Sequence, residues 1–213
     1  MARKKTDKIV FEHVEVLDAG AKGVCVAKAP DGKVIFIPNV VPGDVVDVQT
    51  VKKRKAYYEG RATQVHTFSE HRVEPVCEHF GSCGGCKWQN MAYSQQLVYK
   101  QQEVYNHLKR IGKIELPEFD PILGSKEQFF YRNKMEFSFS NARWLTPEEI
   151  QSGEELGKEN ALGFHIPKMW DKILDIKKCW LQGDPSNDIR NEIREFANQH
   201  QVAFFNPREN NGF

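Results

Sequence analysis

Short runs of alternating apolar and polar residues fill the first third of the chain. In Val45–Gln49 the valines at positions 46 and 48 share one face and polar residues take the other, which predicts a half-buried strand. Asp31-Gly32 separates the runs Val24–Ala29 and Lys33–Ile37, which predicts a hairpin, and Pro42-Gly43-Asp44 predicts a turn. About five such strands in so short a segment favour a closed or nearly closed small β-barrel, because closure removes exposed strand edges.

The pattern in the rest of the chain predicts a mixture of helices and strands. Tyr131–Ser140 has the clearest strand alternation, with Tyr131, Met135, Phe137 and Phe139 on one face. Weaker strand patterns occupy Ala161–Ile166, Ile173–Ile176 and Ala203–Phe205. A helix is predicted over residues 94–111, with Ser94 as its cap and Gly112 as its stop. Ser186 is expected to cap a last helix whose apolar stripe is Ile189, Ile193, Phe196 and Ala197.

These elements predict a β-rich α+β protein of two domains. The five-stranded barrel is expected over residues 1–66, and an α+β domain that carries the cysteines over residues 67–213. The mean hydropathy is -0.59, and no apolar run reaches the length of a membrane span. The basic N-terminus is not followed by the apolar stretch of a secretory signal, so a cytoplasmic location is expected.

Charge is distributed unevenly along a chain whose net charge is only +1. Residues 1–66 carry a net charge of +4, and residues 67–213 a net charge of −3. This asymmetry is consistent with an anionic partner that meets the first third of the chain, although small differences of this kind are also common without one.

Three of the five cysteines lie within ten residues, and a fourth follows far along the chain. Cys77, Cys83 and Cys86 have the spacing C-x5-C-x2-C, and 92 residues separate Cys86 from Cys179. A tight loop can supply several thiolates to one metal centre, and a distant element can complete the set. The glycines of Ser82-Cys83-Gly84-Gly85-Cys86 would let backbone amides turn toward the sulfurs.

The spacing alone leaves three interpretations of these cysteines open. Iron–sulfur ligation fits three clustered cysteines with one remote and is favoured over structural zinc, which more often uses paired CxxC motifs or adds histidines such as His71 or His79. Ordinary thiols are the third interpretation, which the clustering disfavours. Cys25 stands alone in a predicted strand, where a small core residue is expected.

The segment Cys77–Gln89 closely resembles the cluster-binding segment of bacterial RNA (uracil-5-)-methyltransferases, the 23S rRNA group in particular. Tyr131–Phe137 and the run from Gly163 to Cys179 also resemble that family, and the first 66 residues resemble its TRAM domain. The resemblance implies that the barrel is an OB-like RNA-binding module. It also implies that a [4Fe-4S] cluster is bound by Cys77, Cys83, Cys86 and Cys179.

The same family places a Rossmann-like domain, which uses S-adenosylmethionine and a cysteine nucleophile, after the part that this sequence resembles. No Gly-rich loop that follows a strand is found here. We therefore expect the chain to be truncated before the catalytic domain, to be inactive alone and to have no catalytic residues of its own. We also expect it to be a monomer. Its expected function is recognition of 23S-type rRNA within an enzyme that makes 5-methyluridine.

Candidate RNA contacts are cations next to aromatic rings. The run Lys52–Lys55 is followed by two tyrosines, so phosphate contacts and base stacking can occur side by side. Arg61, Lys22, Lys33 and the arm Arg3-Lys4-Lys5 would extend this surface, and the alternative is a solvated loop with buried tyrosines. Arg132 and Lys134 share the polar face of the predicted strand, where they would meet RNA, offset cluster charge or form a cross-strand ion pair. The predicted contacts are Lys52, Lys53, Arg54, Lys55, Tyr57, Tyr58, Arg61, Arg132 and Lys134.

Two functions from other classes remain as alternatives. One is a zinc-stabilised nucleic-acid-binding module without methyltransferase activity, and the other is a redox protein whose cluster transfers electrons. Phe80 and Trp88 flank the cysteines, and we expect these rings to shield the site from water rather than to stack on a base.

Overall fold

The structure is a computed structural model that describes residues 8–153 and 160–212. At residues 147 and 148 it describes only the backbone. The chain divides into two compact units, each built from two stretches of sequence. The first contains the residues up to Val76 together with Lys87–Gly124, and the second contains Cys77–Cys86 together with the residues from Ser125 onward. The short cysteine segment thus belongs to the second unit, although the residues on both sides of it belong to the first.

A closed five-stranded barrel forms most of the first unit. Its strands are β1 (Val10–Ala19), β2 (Val24–Lys28), β3 (Val34–Pro38), β4 (Val45–Lys53) and β5 (Tyr57–Thr67). They follow the order β1-β2-β3-β5-β4, and the pair β3 and β5 is parallel whereas the other pairs are antiparallel. The predicted barrel, the Asp31-Gly32 hairpin between β2 and β3 and the turn before β4 are all confirmed.

Alternation along these strands fills the barrel with apolar side chains. Ile35, Ile37, Val46 and Val48 are all 0% exposed, and Cys25 packs among them as a core residue with its thiol donating to Val40 O at 3.0 Å. Full burial of each branched side chain contributes about 1.5–3 kcal/mol to folding. The barrel core is therefore the main stabilising element of the first unit.

A buried carboxylate fixes the entry to β4. Asp44 is 0% exposed, and its oxygens accept from the backbone N–H groups of Val41 at 2.7 Å and Ser69 at 2.9 Å. The guanidinium of Arg72 completes the set as an ion pair. The preceding Gly43 has φ +96°, and a Cβ there would lie 2.9 Å from Ser69 Oγ, so the turn requires glycine on both counts.

The predicted helix over residues 94–111 is confirmed with different ends. Helix α1 spans Tyr93–Asn106 and continues through wider π-type turns over His107–Ile111 to Gly112. The predicted Ser94 cap is wrong, because Ala92 occupies the cap position and makes no side-chain cap hydrogen bond. No residue of the helix is buried, and Val104 is 52% exposed.

The second unit contains a small antiparallel sheet and two helices. The strands β6 (Ser138–Ser140), β7 (Ala161–His165) and β8 (Ile173–Asp175) lie in that order, and the helices are α2 (Pro147–Ser152) and α3 (Ser186–Gln199). The two weaker strand predictions at 161–166 and 173–176 are confirmed. The closing strand predicted at Ala203–Phe205 is wrong, because these residues have no ladder and Phe205 O accepts from Asn141 N in a loop contact.

The strand predicted at Tyr131–Ser140 forms only over its last three residues. The part before Ser138 has no regular strand alongside it; instead the amides of Phe130 and Arg132 donate to the carbonyls of Trp180 and Leu181 at 2.8 and 2.7 Å. The alternation survives in part, because Met135 and Phe137 still pack on the apolar cluster of this unit. A regular alternation of side chains along one segment does not provide a neighbouring strand for its backbone to bond to.

Helix α3 buries the opposite face from the one its pattern predicts. Ile189, Ile193 and Phe196 are 53%, 47% and 60% exposed, whereas Asn187 and Arg190 are 7% and 4% exposed. Of the predicted stripe, only Ala197 is buried. Ser186 is the first helical residue rather than the cap, and its hydroxyl donates to Gln182 Oε1 at 2.7 Å. Polar contacts to the preceding loop orient this helix.

Candidate metal centre and nucleic-acid surface

The segment Cys77–Cys86 folds into a tight knuckle held by its own backbone. Phe80 N donates to Cys77 O at 3.0 Å, and Cys83 N donates to His79 O at 2.8 Å. Gly85 N points at the Cys83 sulfur at 3.4 Å, which is the amide-to-sulfur contact expected of a ligand loop. These turns fold the three cysteines of the knuckle into one short loop.

The remote cysteine lies with the knuckle in the second unit. Cys179 is 9% exposed and belongs to a cluster with Ile166, Leu174 and Ile176, and Cys83 packs against that cluster. A thiol far along the chain and one from the knuckle therefore share the same apolar surroundings.

Burial and the charge of neighbouring thiolates both oppose ionisation of Cys77 and Cys86. Burial, followed by the neighbouring thiolate charges of Cys83, Cys77 and Cys179, raises the pKa of Cys86 to about 11. Burial is also the main reason that the pKa of Cys77 is raised, with the amides of His79 and Phe80 opposing the rise and Cys179 adding to it. Burial likewise raises the pKa of the barrel-core thiol Cys25 to about 12, so the rise reflects burial and does not by itself mark a metal ligand.

Two buried donors of this unit lack hydrogen-bond partners among the described residues. One is Nη1 of Arg190, and the other is Nε2 of His79, which lies 3.3 Å from a Glu78 carboxylate oxygen without hydrogen-bond geometry. Charge on Cys179 favours the cationic form of Arg190, although burial, the larger effect, lowers its pKa. An all-thiolate donor set with a buried guanidinium nearby fits an anionic metal–sulfur group.

The two glycines of the knuckle do different things. A Cβ on Gly84 would lie 2.8 Å from Pro167 Cγ, so glycine is needed there for close packing within the unit. A Cβ on Gly85 would lie 3.5 Å from the Cys83 sulfur, which is an ordinary contact. Packing against Pro167, and not access of an amide to sulfur, is the reason that glycine is needed at Gly84.

Sequence patterns did not reveal how Cys179 is held. Asn187 bonds to the backbone of Cys179 at both N and O, and Arg190 bonds to the carbonyls of Ile176 and Lys177. The two neighbours of the cysteine in sequence also contact each other, with Lys178 Nζ 4.0 Å from the centre of the Trp180 ring. The available signal was the spacing of Asn187, Arg190 and Arg194, which puts three polar residues on one helix face.

The basic run lies at the hairpin between β4 and β5. Lys52 and Lys53 end β4, Arg54 and Lys55 form the turn, and all four are exposed. Lys52 Nζ lies 3.6 Å from Glu59 Oε1, an exposed pair that leaves the charges accessible. Such a turn can approach phosphates without moving the barrel.

The two tyrosines after this hairpin have different environments. Tyr58 is 4% exposed, belongs to the barrel core and donates to Asp31 Oδ2 at 2.9 Å, so its ring does not face solvent. Tyr57 is half-buried, with its ring edge-to-face with Phe36 at 5.3 Å. Arg61 lies on the same strand and bonds to Gln49 Oε1 at 3.2 Å. The arm Arg3-Lys4-Lys5 lies outside the described residues.

The cations of the second unit separate into two settings. The charge of Arg132 partly offsets the rise in the pKa of Cys86, and its guanidinium lies 5.8 Å from the Tyr131 ring centre. Lys134 Nζ pairs with Glu136 Oε1 at 2.8 Å, with both side chains more than 80% exposed. This pair lies within one stretch of chain and is not the cross-strand pair considered from the sequence. Phe80 and Trp88 are half-buried.

Comparisons with known proteins match the barrel to a domain family and the chain to relatives named RNA methyltransferases. Residues 12–63 match the TRAM domain family. Over 192 residues the chain is 53% identical to a Bacteroides thetaiotaomicron protein described as an uncharacterized RNA methyltransferase, covering 90% of this chain and 42% of the relative. A similarly described Porphyromonas gingivalis protein is 44% identical, covering 93% of this chain and 44% of the relative. The chain thus spans less than half the length of these curated relatives.

A solved structure shares the fold. The Pyrococcus abyssi tRNA (uracil-54, C5)-methyltransferase in complex with S-adenosyl-L-homocysteine matches with a TM-score of 0.58 and 23% identity, covering 94% of this chain and 40% of that one. At this identity the match supports the fold. Among the described residues, no helix has both the length and the apolar character required to cross a bilayer.

Proposed function

We propose that this chain is the RNA-recognition and iron–sulfur part of an S-adenosylmethionine-dependent RNA (uracil-5-)-methyltransferase that modifies 23S-type ribosomal RNA in the cytoplasm, as a monomer. The observation that carries the proposal is a TRAM barrel on a chain whose relatives are named RNA methyltransferases. S-adenosyl-L-homocysteine in the solved neighbour is the demethylated form of that donor. These relatives disfavour a nucleic-acid-binding module without a methyltransferase parent.

In this proposal the barrel grips RNA through its β4–β5 hairpin. Four exposed cations at one turn attract phosphates, and the half-buried ring of Tyr57 lies next to them. Stacking of a base on such a ring contributes about 1–3 kcal/mol, as much as several phosphate contacts. The hairpin ends strands of a closed barrel, so its position is set by a rigid element.

The second part of the proposal assigns a [4Fe-4S] cluster to Cys77, Cys83, Cys86 and Cys179. Support comes from the shared surroundings of Cys83 and Cys179, the amide directed at the Cys83 sulfur and the unpartnered Nη1 of buried Arg190. When bound, the cluster would supply a covalent tie between the knuckle and the loop after β8. Arg190 and Asn187 hold that loop in position, and the apolar cluster excludes water from it.

Two measurements test the proposal separately. Protein purified without oxygen should be brown, with broad absorption at about 400 nm, as expected of thiolate-ligated iron–sulfur centres. A colourless protein with stoichiometric zinc would refute the cluster and leave the RNA assignment standing. Filter binding should show tighter binding to fragments of 23S rRNA than to transfer RNA at equal salt. Equal binding, or a preference for transfer RNA, would refute the ribosomal substrate.

A further inference from the structure

Two histidines and an aspartate converge on the outer wall of the barrel, and none of them belongs to the cysteine set. Asp47 lies on β4 between Val46 and Val48, which face the core, so its carboxylate faces outward. The strands on the two sides of β4 are β1, which carries His13, and β5, which carries His66. The central strand thus provides a carboxylate, and each neighbour provides an imidazole.

Irregular pairing brings both histidines opposite this carboxylate. The β1–β4 ladder shifts between Phe11 and Val14, so His13 lies in a bulge across from Asp47. The β4–β5 ladder shifts between Val45 and Val46, and His66 is the extra residue there. His13 also has φ +51°, a left-handed conformation that non-glycine residues seldom adopt. Bulges and such backbone conformations are typical of places where a side chain is redirected for function.

The ligand atoms have the spacing of a metal site. His66 Nε2 lies 2.7 Å and His13 Nδ1 3.9 Å from Asp47 Oδ1, and one nitrogen or oxygen from each residue lies within 4.8 Å of the others. Metal–ligand distances of about 2.0–2.2 Å require ligand atoms about 3.3 Å apart, a value between these two distances. The two imidazole rings, which are stacked nearly parallel, must tilt apart for both nitrogen lone pairs to reach one ion.

We infer that His13, Asp47 and His66 bind a divalent transition-metal ion of the zinc class on the barrel surface. Two imidazoles and one carboxylate suit zinc, copper and nickel and are too nitrogen-rich for magnesium or calcium. Three protein ligands leave a coordination position that water or another oxygen ligand fills. The stacked rings of His13 and His66, 3.9 Å apart and 13° from parallel, present their nitrogens to the same side chain.

The test titrates Zn²⁺ into the full chain and follows the imidazole nitrogens by NMR after ¹⁵N-histidine labelling. This signal reports on histidines even while the cysteines also take up metal, and His107, His165 and His200, which lie outside the cysteine segment, serve as internal references. The nitrogens of His13 and His66 should shift together in one titration step. His66→Gln keeps a side chain able to bond Asp47, and it should weaken the response at His13 by about tenfold or more.

The matched control is His107→Gln, which removes an exposed imidazole of the same unit and should leave the His13 response unchanged. Amide spectra of both variants establish that the barrel is folded. Nitrogens at 13 and 66 that stay unmoved with excess Zn²⁺, or an equal response in His66→Gln and wild type, would show that the three residues form only an ion-paired cluster. This result is independent of the proposed methyltransferase function.

Discussion

Asn187 and Cys179 are joined by two hydrogen bonds between one side chain and one backbone. Asn187 Oδ1 accepts from Cys179 N at 2.8 Å, and Nδ2 donates to Cys179 O at 3.2 Å. Both residues are buried, so water does not replace these bonds when one partner is removed. The first turn of α3 therefore determines the position of the remote cysteine.

Replacing this asparagine should destabilise the second unit. Asn187→Ala leaves the N–H and C=O of Cys179 buried and unpaired, at a cost of about 1–3 kcal/mol for each unsatisfied group. Urea unfolding monitored by Trp fluorescence measures the loss. Asn191→Ala is the matched control on the same helix, because its exposed amide bonds to Lys177 O and should cost less than about 1 kcal/mol. Equal losses in the two variants would contradict the account.

Loss of one sulfur should abolish the proposed cluster. Cys179→Ser should lower iron content and absorption at about 400 nm in anaerobically purified protein. Cys25→Ser makes the same chemical change at another buried thiol, one that donates only to Val40 O in the barrel core, and should keep the colour. A brown Cys179→Ser protein with full iron content would show that this residue is not a ligand.

The buried guanidinium should tune the potential of that cluster. Arg190→Met removes a cation and a hydrogen-bond donor near Cys179, so the reduced, more negative cluster loses stabilisation and the reduction potential should become more negative. Arg190→Lys keeps the charge and should restore part of the shift. Redox titration followed by electron paramagnetic resonance provides the values. A potential that is identical in all three proteins would contradict a role beyond packing.

The β4–β5 hairpin should carry a salt-dependent part of RNA binding. The triple variant Lys53→Ala/Arg54→Ala/Lys55→Ala should weaken binding and reduce the slope of log K against log salt by about 0.7 for each single-strand phosphate that the protein no longer neutralises. Tyr58 is left intact because it belongs to the core. A matched control replaces Lys8, Lys28 and Lys109, three exposed lysines of the same unit, by alanine. An unchanged slope in the hairpin variant, measured by filter binding, would exclude this surface.

One aspartate of the barrel should make the free energy of unfolding depend on pH in the acid range. Bonds from Lys33 and then Tyr58 lower the pKa of Asp31 to about 2 from the ordinary 3.8. The folded state thus favours the ionised carboxylate, and its stabilisation is complete above about pH 4 and is lost as the pH falls toward about 2. The stability difference between wild type and Asp31→Asn, measured by urea unfolding, should shrink across that range.

Local patterns predicted the strands and the β2–β3 hairpin of the barrel because these have local determinants: alternation along β4 and the Asp31-Gly32 turn. The pairs that close the barrel, β1 with β4 and β3 with β5, join strands that are not neighbours in sequence, and no local pattern specifies them. Tyr131–Ser140 shows the limit of this reasoning: its alternation is as regular, but the chain next to its first seven residues is a loop. A strand prediction needs a partner that the strand's own sequence does not contain.

The candidate site was likewise predicted from the sequence only in part. Clustering and glycines pointed to the knuckle, the cysteine spacing already admitted the remote Cys179 as a fourth ligand, and the family resemblance implied that it binds the cluster. Asn187 and Arg190 were missed because a helix is expected to bury its apolar face, whereas α3 buries these polar residues against loop carbonyls. Tyr58 was misjudged for a related reason, since alternation in β5 turns its ring inward.

The interleaving of the two units along the chain has a consequence for biosynthesis. The knuckle is inserted into the sequence of the first unit. After Cys86, 92 further residues must be translated before Cys179, the packing partner of the knuckle, is made. During that interval three thiols of a nascent chain are solvated and open to oxidation. The yield of correctly matured protein should therefore depend on oxygen during translation itself, at a stage when the barrel has already been made.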